Sequence, residues 1–227
     1  MSEWWTYTLS DFLLFSPRVY YRLFDLHNRA LWPAQLLTAV LGLAILFMLL
    51  RPVRAGERLV PALLGVLWIW VAWSFFAERY ATINWAAVYV APAFALEGLL
   101  LIWVGARGHL AFARIRQRRD FAGIGLFVLA LAGYPLIAGA MGQPWSAGEV
   151  FGIAPDPTAV GTLAVLALAD GRARWWLMII PLLWCAITGT TLWTMESAEY
   201  LVAPLCALAA VGAVLLRRRV PAPEIEP

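Results

Sequence analysis

Seven mostly apolar stretches, each close to the length of a membrane-crossing helix, follow one another along this chain with short polar connections between them. A helix rising ~1.5 Å per residue needs roughly 20 such residues to cross a ~30 Å hydrocarbon layer. The stretches fall at 32–50, 59–77, 85–105, 121–140, 151–169, 174–194 and 198–216. A water-soluble fold of 227 residues, 63% hydrophobic and 14% charged, would leave much apolar surface facing water. Lipid removes that conflict. The expected fold is therefore all-α, a polytopic transmembrane bundle of seven spans.

Arginine placement sets the orientation. With the N-terminus outside and the C-terminus inside, the inner connections hold Arg51, Arg54 and Arg58; Arg107, Arg114, Arg116, Arg118 and Arg119; Arg172 and Arg174; and Arg217, Arg218 and Arg219. These are 13 of the 17 basic residues. The outer loops hold Arg79, and the N-terminal segment holds Arg18, Arg22 and Arg29. Positive charge on the cytoplasmic side at every crossing is the expected bias. The fifth stretch is the weakest, since Gly152, Pro155, Asp156 and Pro157 interrupt it, but without it the Arg217–Arg219 cluster would move outside. Trp32, Trp85, Trp103, Trp175, Trp176 and Trp193 lie near span ends, where amphipathic rings favour the interface. The deeper Trp68, Trp70 and Trp73 read as packing residues.

The organisation is thus an outer segment (1–31), the bundle (32–216) and a cytoplasmic tail (217–227). Ser16-Pro17 predicts a helix start. Over Pro17–Asn28, Val19, Tyr20, Leu23, Phe24 and His27 fall on one side, with Arg18, Arg22, Asp25 and Arg29 largely on the other. Such a helix is expected to lie in the outer interface, as an anchor or as a lid with His27 at its edge. The tail Val220–Pro227 is expected to be disordered. No cleavable signal peptide is expected, because the longest apolar run near the start is only Phe12–Phe15.

Every basic residue is Arg. Without a lysine amine no Schiff base can form, which excludes a retinal protein, and no Walker-type phosphate loop is possible. His27, His109, Cys185 and Cys206 show no metal-ligand spacing, and no nucleophile–base pair is visible. No catalytic residue, metal or cofactor is expected. Arg clusters that hug the membrane argue against nucleic-acid binding.

Glu97 is the one ionisable residue well inside a clean span, and a carboxyl at that depth should face the bundle interior or water. Its two readings are a proton or cation site and a neutral group bonded to a neighbouring helix. Around Phe151–Thr158, Pro155 and Pro157 prevent regular helix, and Asp156 is expected to cap a short helix starting at Pro157. That helix is either a half-span of the kind that builds solute sites or a short tilted span below an ordinary loop. Glu78, Glu149, Asp156, Glu196 and Glu199 make the outer side acidic. This either attracts a cation or basic partner or mirrors the exclusion of Arg from that side.

Several segments resemble a family of uncharacterised bacterial multi-pass membrane proteins of about this length. They are Trp4-Trp5-Thr6-Tyr7 with Asp11-Phe12 and Ser16-Pro17, Leu31-Trp32-Pro33-Ala34-Gln35, Ile83-Asn84-Trp85-Ala86-Ala87, Phe151–Thr158 and Ile180-Pro181-Leu182-Leu183-Trp184. The family is a domain of unknown function, so the resemblance implies a fold and a membrane location, and no reaction; the bacterial inner membrane is the expected compartment.

The leading expectation is a small-solute or ion permease-like protein. Its substrate site would combine Glu97 in span three, Asp156 and Thr158 in span five, and His27 and Asn28 in the outer segment. Arg79 and Asn84 would line the entrance. The alternative is an accessory or assembly subunit of a larger membrane complex, with Trp-rich spans packed on partner helices; a lone chain or a homo-oligomer fits the permease reading instead.

Overall fold

The computed structural model describes residues 15–51, 53–113 and 118–216. The expectations for residues 1–14, Arg114, Arg116, the Arg118 and Arg119 side chains, Arg217–Arg219 and the tail Val220–Pro227 lie outside them. The described chain is a helical bundle. Its helices are α1 (Pro17–Ala30), α2 (Ala34–Leu50), α3 (Gly56–Val71), α4 (Ala87–Arg107), α5 (Arg118–Val128), α6 (Tyr134–Ala140), α7 (Pro155–Leu168), α8 (Ala173–Leu177), α9 (Ile179–Thr194) and α10 (Val202–Leu215). Wider π turns continue α3 over Ala72–Ala77 and join α5 to α6 over Leu129–Gly133.

Five continuous helical stretches are long and apolar enough to cross a bilayer: Gly56–Thr82, Ala87–Arg107, Asp120–Ala140, Ala173–Thr194 and Ala198–Leu215. The bent pair α1–α2 raises the number to six if it is one span. α2 has 17 residues and α7 has 14, so α7 is only about 21 Å long at ~1.5 Å per residue.

α1 begins as Ser16-Pro17 predicts. Ser16 is the N-cap, its hydroxyl accepts from the Val19 N–H, and Pro17 occupies the first turn. The chain then turns by 91° into α2, so α1 lies across the end of the bundle, outside the five long apolar helices. Its apolar side packs on protein, with Tyr20, Leu23, Phe24 and His27 buried. Val19, expected on that side, is exposed, and Asp25, expected on the polar side, is buried and paired with Arg29 at 2.8 Å.

α3 and α4 form the closest pair in the bundle. They touch backbone to backbone where Gly65 faces Gly98 and where Gly105 faces Arg58 and Pro61. Small residues permit this approach, and between helices in lipid such packing replaces the hydrophobic drive available in water.

α7 stands at the centre with all 14 residues buried, and packs against α3, α5, α9 and α10. Its far end continues into β2 (Ala169–Asp170), which pairs antiparallel with β1 (Ala111–Phe112) just after α4. The ends of α4 and α7 therefore share one end of the bundle. The deep Trp68 is fully buried, and its Nε1–H donates to the Thr162 hydroxyl of α7 at 2.8 Å. By contrast Trp32, Trp85, Trp103, Trp175, Trp176 and Trp193 are all exposed.

Candidate functional site

The approach to α7 is built from a buried turn. The Ala154 N–H donates to the Val150 carbonyl at 2.8 Å, and Gly152 adopts φ +74°, a left-handed conformation that glycine enters without a Cβ penalty. A Cβ there would also stand 2.9 Å from Leu67 Cδ2. The Thr158 hydroxyl accepts the Gly152 N–H at 2.9 Å and donates to the Ala154 carbonyl at 2.7 Å. Thr158 thus locks the turn to the first helical turn of α7.

That turn differs from expectation in one respect. α7 starts at Pro155 with Ala154 as its N-cap, and Asp156 lies inside the first turn. Its carboxylate does not cap its own helix. It points sideways to α9 and accepts from Trp184 Nε1–H at 2.7 Å and from the Thr188 hydroxyl at 2.8 Å. Asp156's own backbone N–H, at the helix start, favours the ionised form of the neighbouring Glu149 carboxyl, by less than the effects that oppose it. Two carboxylates are therefore held side by side at the start of α7. Burial first, then the neighbouring Asp156 and Glu199 carboxylates, push Glu149 well above the usual carboxylate range.

Both groups line a small, partly open cavity of about 30 Å³, together with Glu199, Tyr21 and Tyr134. A volume of that size holds a water-sized guest. The Tyr21 hydroxyl donates to Glu199 and lies 3.0 Å from the Ser197 hydroxyl. Two lining atoms, Tyr134 Oη and Glu149 Oε2, are buried with no hydrogen-bond partner among the described residues. Among the described residues, neither an arginine nor a histidine lines this cavity.

Of the residues expected at a site, the structure places Asp156 on this cavity. Thr158 lies two residues further along α7 and serves the turn. His27 and Asn28 fasten the α7 approach to α1: His27 Nε2 lies 3.3 Å from the Ile153 carbonyl, and Asn28 Nδ2 donates to the Ser146 and Gly148 carbonyls at 2.8 Å each. Asn84 is used locally, donating to the Tyr80 hydroxyl and accepting from the Ala86 N–H. Arg79 is half-buried near the same end, and its charge acts on His27. Glu97 is fully buried, both its carboxyl oxygens have no partner among the described residues, and it does not line the cavity. On the α4 side of Asp156 the Trp184 ring packs on Phe94 at 5.3 Å and on Phe76 at 5.1 Å. Asp156 thus meets an aromatic cluster in that direction.

Glu149, Glu199, Tyr21 and Tyr134 were not expected as site residues. The acidity of the outer loops was their one signal, and it gave no means of choosing which carboxylates converge.

His27 gives the site a pH signature. Burial chiefly, with a smaller contribution from Arg79, pushes it from 6.5 down to about 4. Its neutral form, with the Nε2–H on Ile153, is the one the fold holds. A histidine with a lowered folded value contributes stability that is intact above about 6.5 and is lost as pH falls towards 4. On going from pH 7 to pH 4.5, the thermal unfolding midpoint of the wild type should therefore drop more than that of His27→Gln. Equal drops would show that His27 does not titrate on unfolding.

The chain belongs to the Family of unknown function (DUF6064), whose match covers residues 17–224. No curated protein and no solved structure matches it.

Proposed function

We propose that this member of the DUF6064 family is a seven-span membrane protein of the bacterial cytoplasmic membrane, permease-like, that takes a small cationic solute or ion into the acidic cavity at the start of α7. The N-terminus and α1 lie on the outer side and the C-terminus lies inside. The two short helices, α2 and α7, complete the five longer crossings.

The threading is supported by the β1–β2 pairing, which brings the chain just after α4 and the chain at the end of α7 to one end of the bundle. Those are the connections carrying Arg107 and Arg172 with Arg174, the side the positive-inside rule assigns to the cytoplasm. A short α7 is compatible with crossing because protein surrounds it on every side.

The observation that carries the functional reading is the convergence of Asp156, Glu149 and Glu199 on one cavity that no basic side chain among the described residues lines. A cation ~4 Å from a single carboxylate gains about 4 kcal/mol where the effective dielectric is near 20, against about 1 kcal/mol in water. An anion meets the opposite sign.

The test is uptake of Na⁺, K⁺ or methylammonium by vesicles containing the purified protein. Wild type should raise uptake above protein-free vesicles, and Asp156→Asn should reduce that increment on the order of tenfold, as expected for an intramembrane carboxylate on an ion path. No increment from wild type would contradict transport. If a stoichiometric membrane partner then co-purified, the accessory-subunit reading would take its place.

A further inference from the structure

Above the acidic cavity the structure holds a second, wider space. This outer vestibule, about 350 Å³, is lined by Pro17, Arg18, Arg22, Asp25, Gln143 and Pro144. Two residues line both spaces, Tyr21 and Ala147. Among the described residues, what vestibule and cavity have in common is therefore one aromatic side chain from α1 and one alanine from the loop before α7. Ala147 has no side chain that could swing aside. Tyr21 has one, half-buried and tethered through its hydroxyl to Glu199 and Ser197 near the start of α10.

We propose that Tyr21 is the gate and size filter of the cavity, and that what it admits from the outer vestibule is a small monovalent cation, a bare alkali ion or a primary ammonium group. The inference rests on the cation reading of the cavity. Three observations carry it. The inner space is about 30 Å³ against about 350 Å³ outside, so a guest must shed most of its hydration or present a small head to pass. The gate's own anchor, Glu199, is a lining carboxylate, so an entering cation competes with the Tyr21 hydroxyl for it and opening is coupled to binding. Among otherwise largely aliphatic walls stand three aromatic rings, Tyr21, Phe24 and Tyr134, a side-chain type that attracts a desolvated cation. Tyr21 is thus a positioning residue for Glu199 as well as the barrier.

The experiment is thiol access. In a Cys185→Ser, Cys206→Ala background, Ala203→Cys places a single thiol on the cavity wall. Its labelling is followed from the outer side with 2-aminoethyl methanethiosulfonate, which is cationic, and with the anionic 2-sulfonatoethyl analogue. With Tyr21 present the thiol should react slowly. Tyr21→Ala should speed the cationic reagent by ~10-fold or more, since access sets the rate of an otherwise ordinary thiol. Tyr21→Phe keeps the ring and loses the tether, and should give an intermediate gain; it also serves if the alanine variant fails to fold. In the opened variants the cationic reagent should outpace the anionic one beyond their ratio on a free thiol.

Equal rates with and without the Tyr21 substitutions, whether uniformly fast or uniformly slow, would overturn the gate and leave the acidic site standing. A clear gain on opening with no preference for the cationic reagent would overturn the cation reading, and the choice of guest with it, while leaving Tyr21 as a barrier.

Discussion

Placing a valine at Gly65 should push α3 away from α4 and deprive the bundle of its closest helix pair. A Cβ at Gly65 would stand 2.5 Å from the Gly98 carbonyl oxygen and 3.1 Å from the Ile102 amide nitrogen, and one at Gly98 would stand 2.6 Å from the Gly65 oxygen. These are backbone atoms of a neighbouring helix, so rotamer changes cannot relieve the clash. Overpacking of this kind costs about 3 kcal/mol, and a separated pair loses the close contact that holds helices together in lipid. The expected result is a lowered thermal midpoint or a loss of the monodisperse peak in detergent chromatography. Gly125→Ala is the control. Nothing stands within 4 Å of a Cβ built there, so the midpoint should be unchanged or slightly raised, as alanine is the better helix former.

Asp156 should divide structure from function between two substitutions. Asp156→Leu removes the acceptor shared by Trp184 Nε1–H and the Thr188 hydroxyl, both in buried surroundings. Each stranded donor costs about 1–3 kcal/mol, so the leucine variant should be destabilised by about 3 kcal/mol or more and express poorly. Asp156→Asn keeps a carbonyl oxygen to accept the same two bonds. It should fold with a midpoint near wild type while lacking the charge the cavity needs. A leucine variant as stable as wild type would show that the two hydrogen bonds contribute little to the bundle.

What the sequence made legible, and what it hid, follows from the range of the forces involved. The apolar stretches report on solvent, and solvent acts locally. Five of them return as continuous apolar helices with ends close to the expected ones, and Ser16-Pro17 starts α1 because capping is set within one turn. The break around Gly152 and Pro155 was readable for the same reason, since proline and glycine act on their own backbone. The partner of Asp156 was not readable. A carboxylate at a helix start usually caps, and only the packing of α9 beside α7 offers it the better pair of donors on Trp184 and Thr188. Glu97 and Asp156 were paired in the expected site by depth alone, and depth says nothing about rotation. Glu97 lies on the buried face of α4 with Phe94 and Leu101, whereas Asp156 looks towards α9. Nor does periodicity along α1 say what covers its apolar side. The 91° bend into α2 turns that side onto the bundle, which brings Tyr21 beside Glu199 across a sequence separation of 178 residues.

The most direct measurement is a calorimetric titration of the purified protein in detergent with sodium, potassium and methylammonium chlorides at constant ionic strength. Wild type should give a saturable heat with about one site per chain for at least one of these cations. Asp156→Asn, shown by its thermal midpoint to be folded, should give none. A saturable heat of equal size in both proteins, or none in wild type, would contradict the assignment of the cavity at the start of α7 as a cation site.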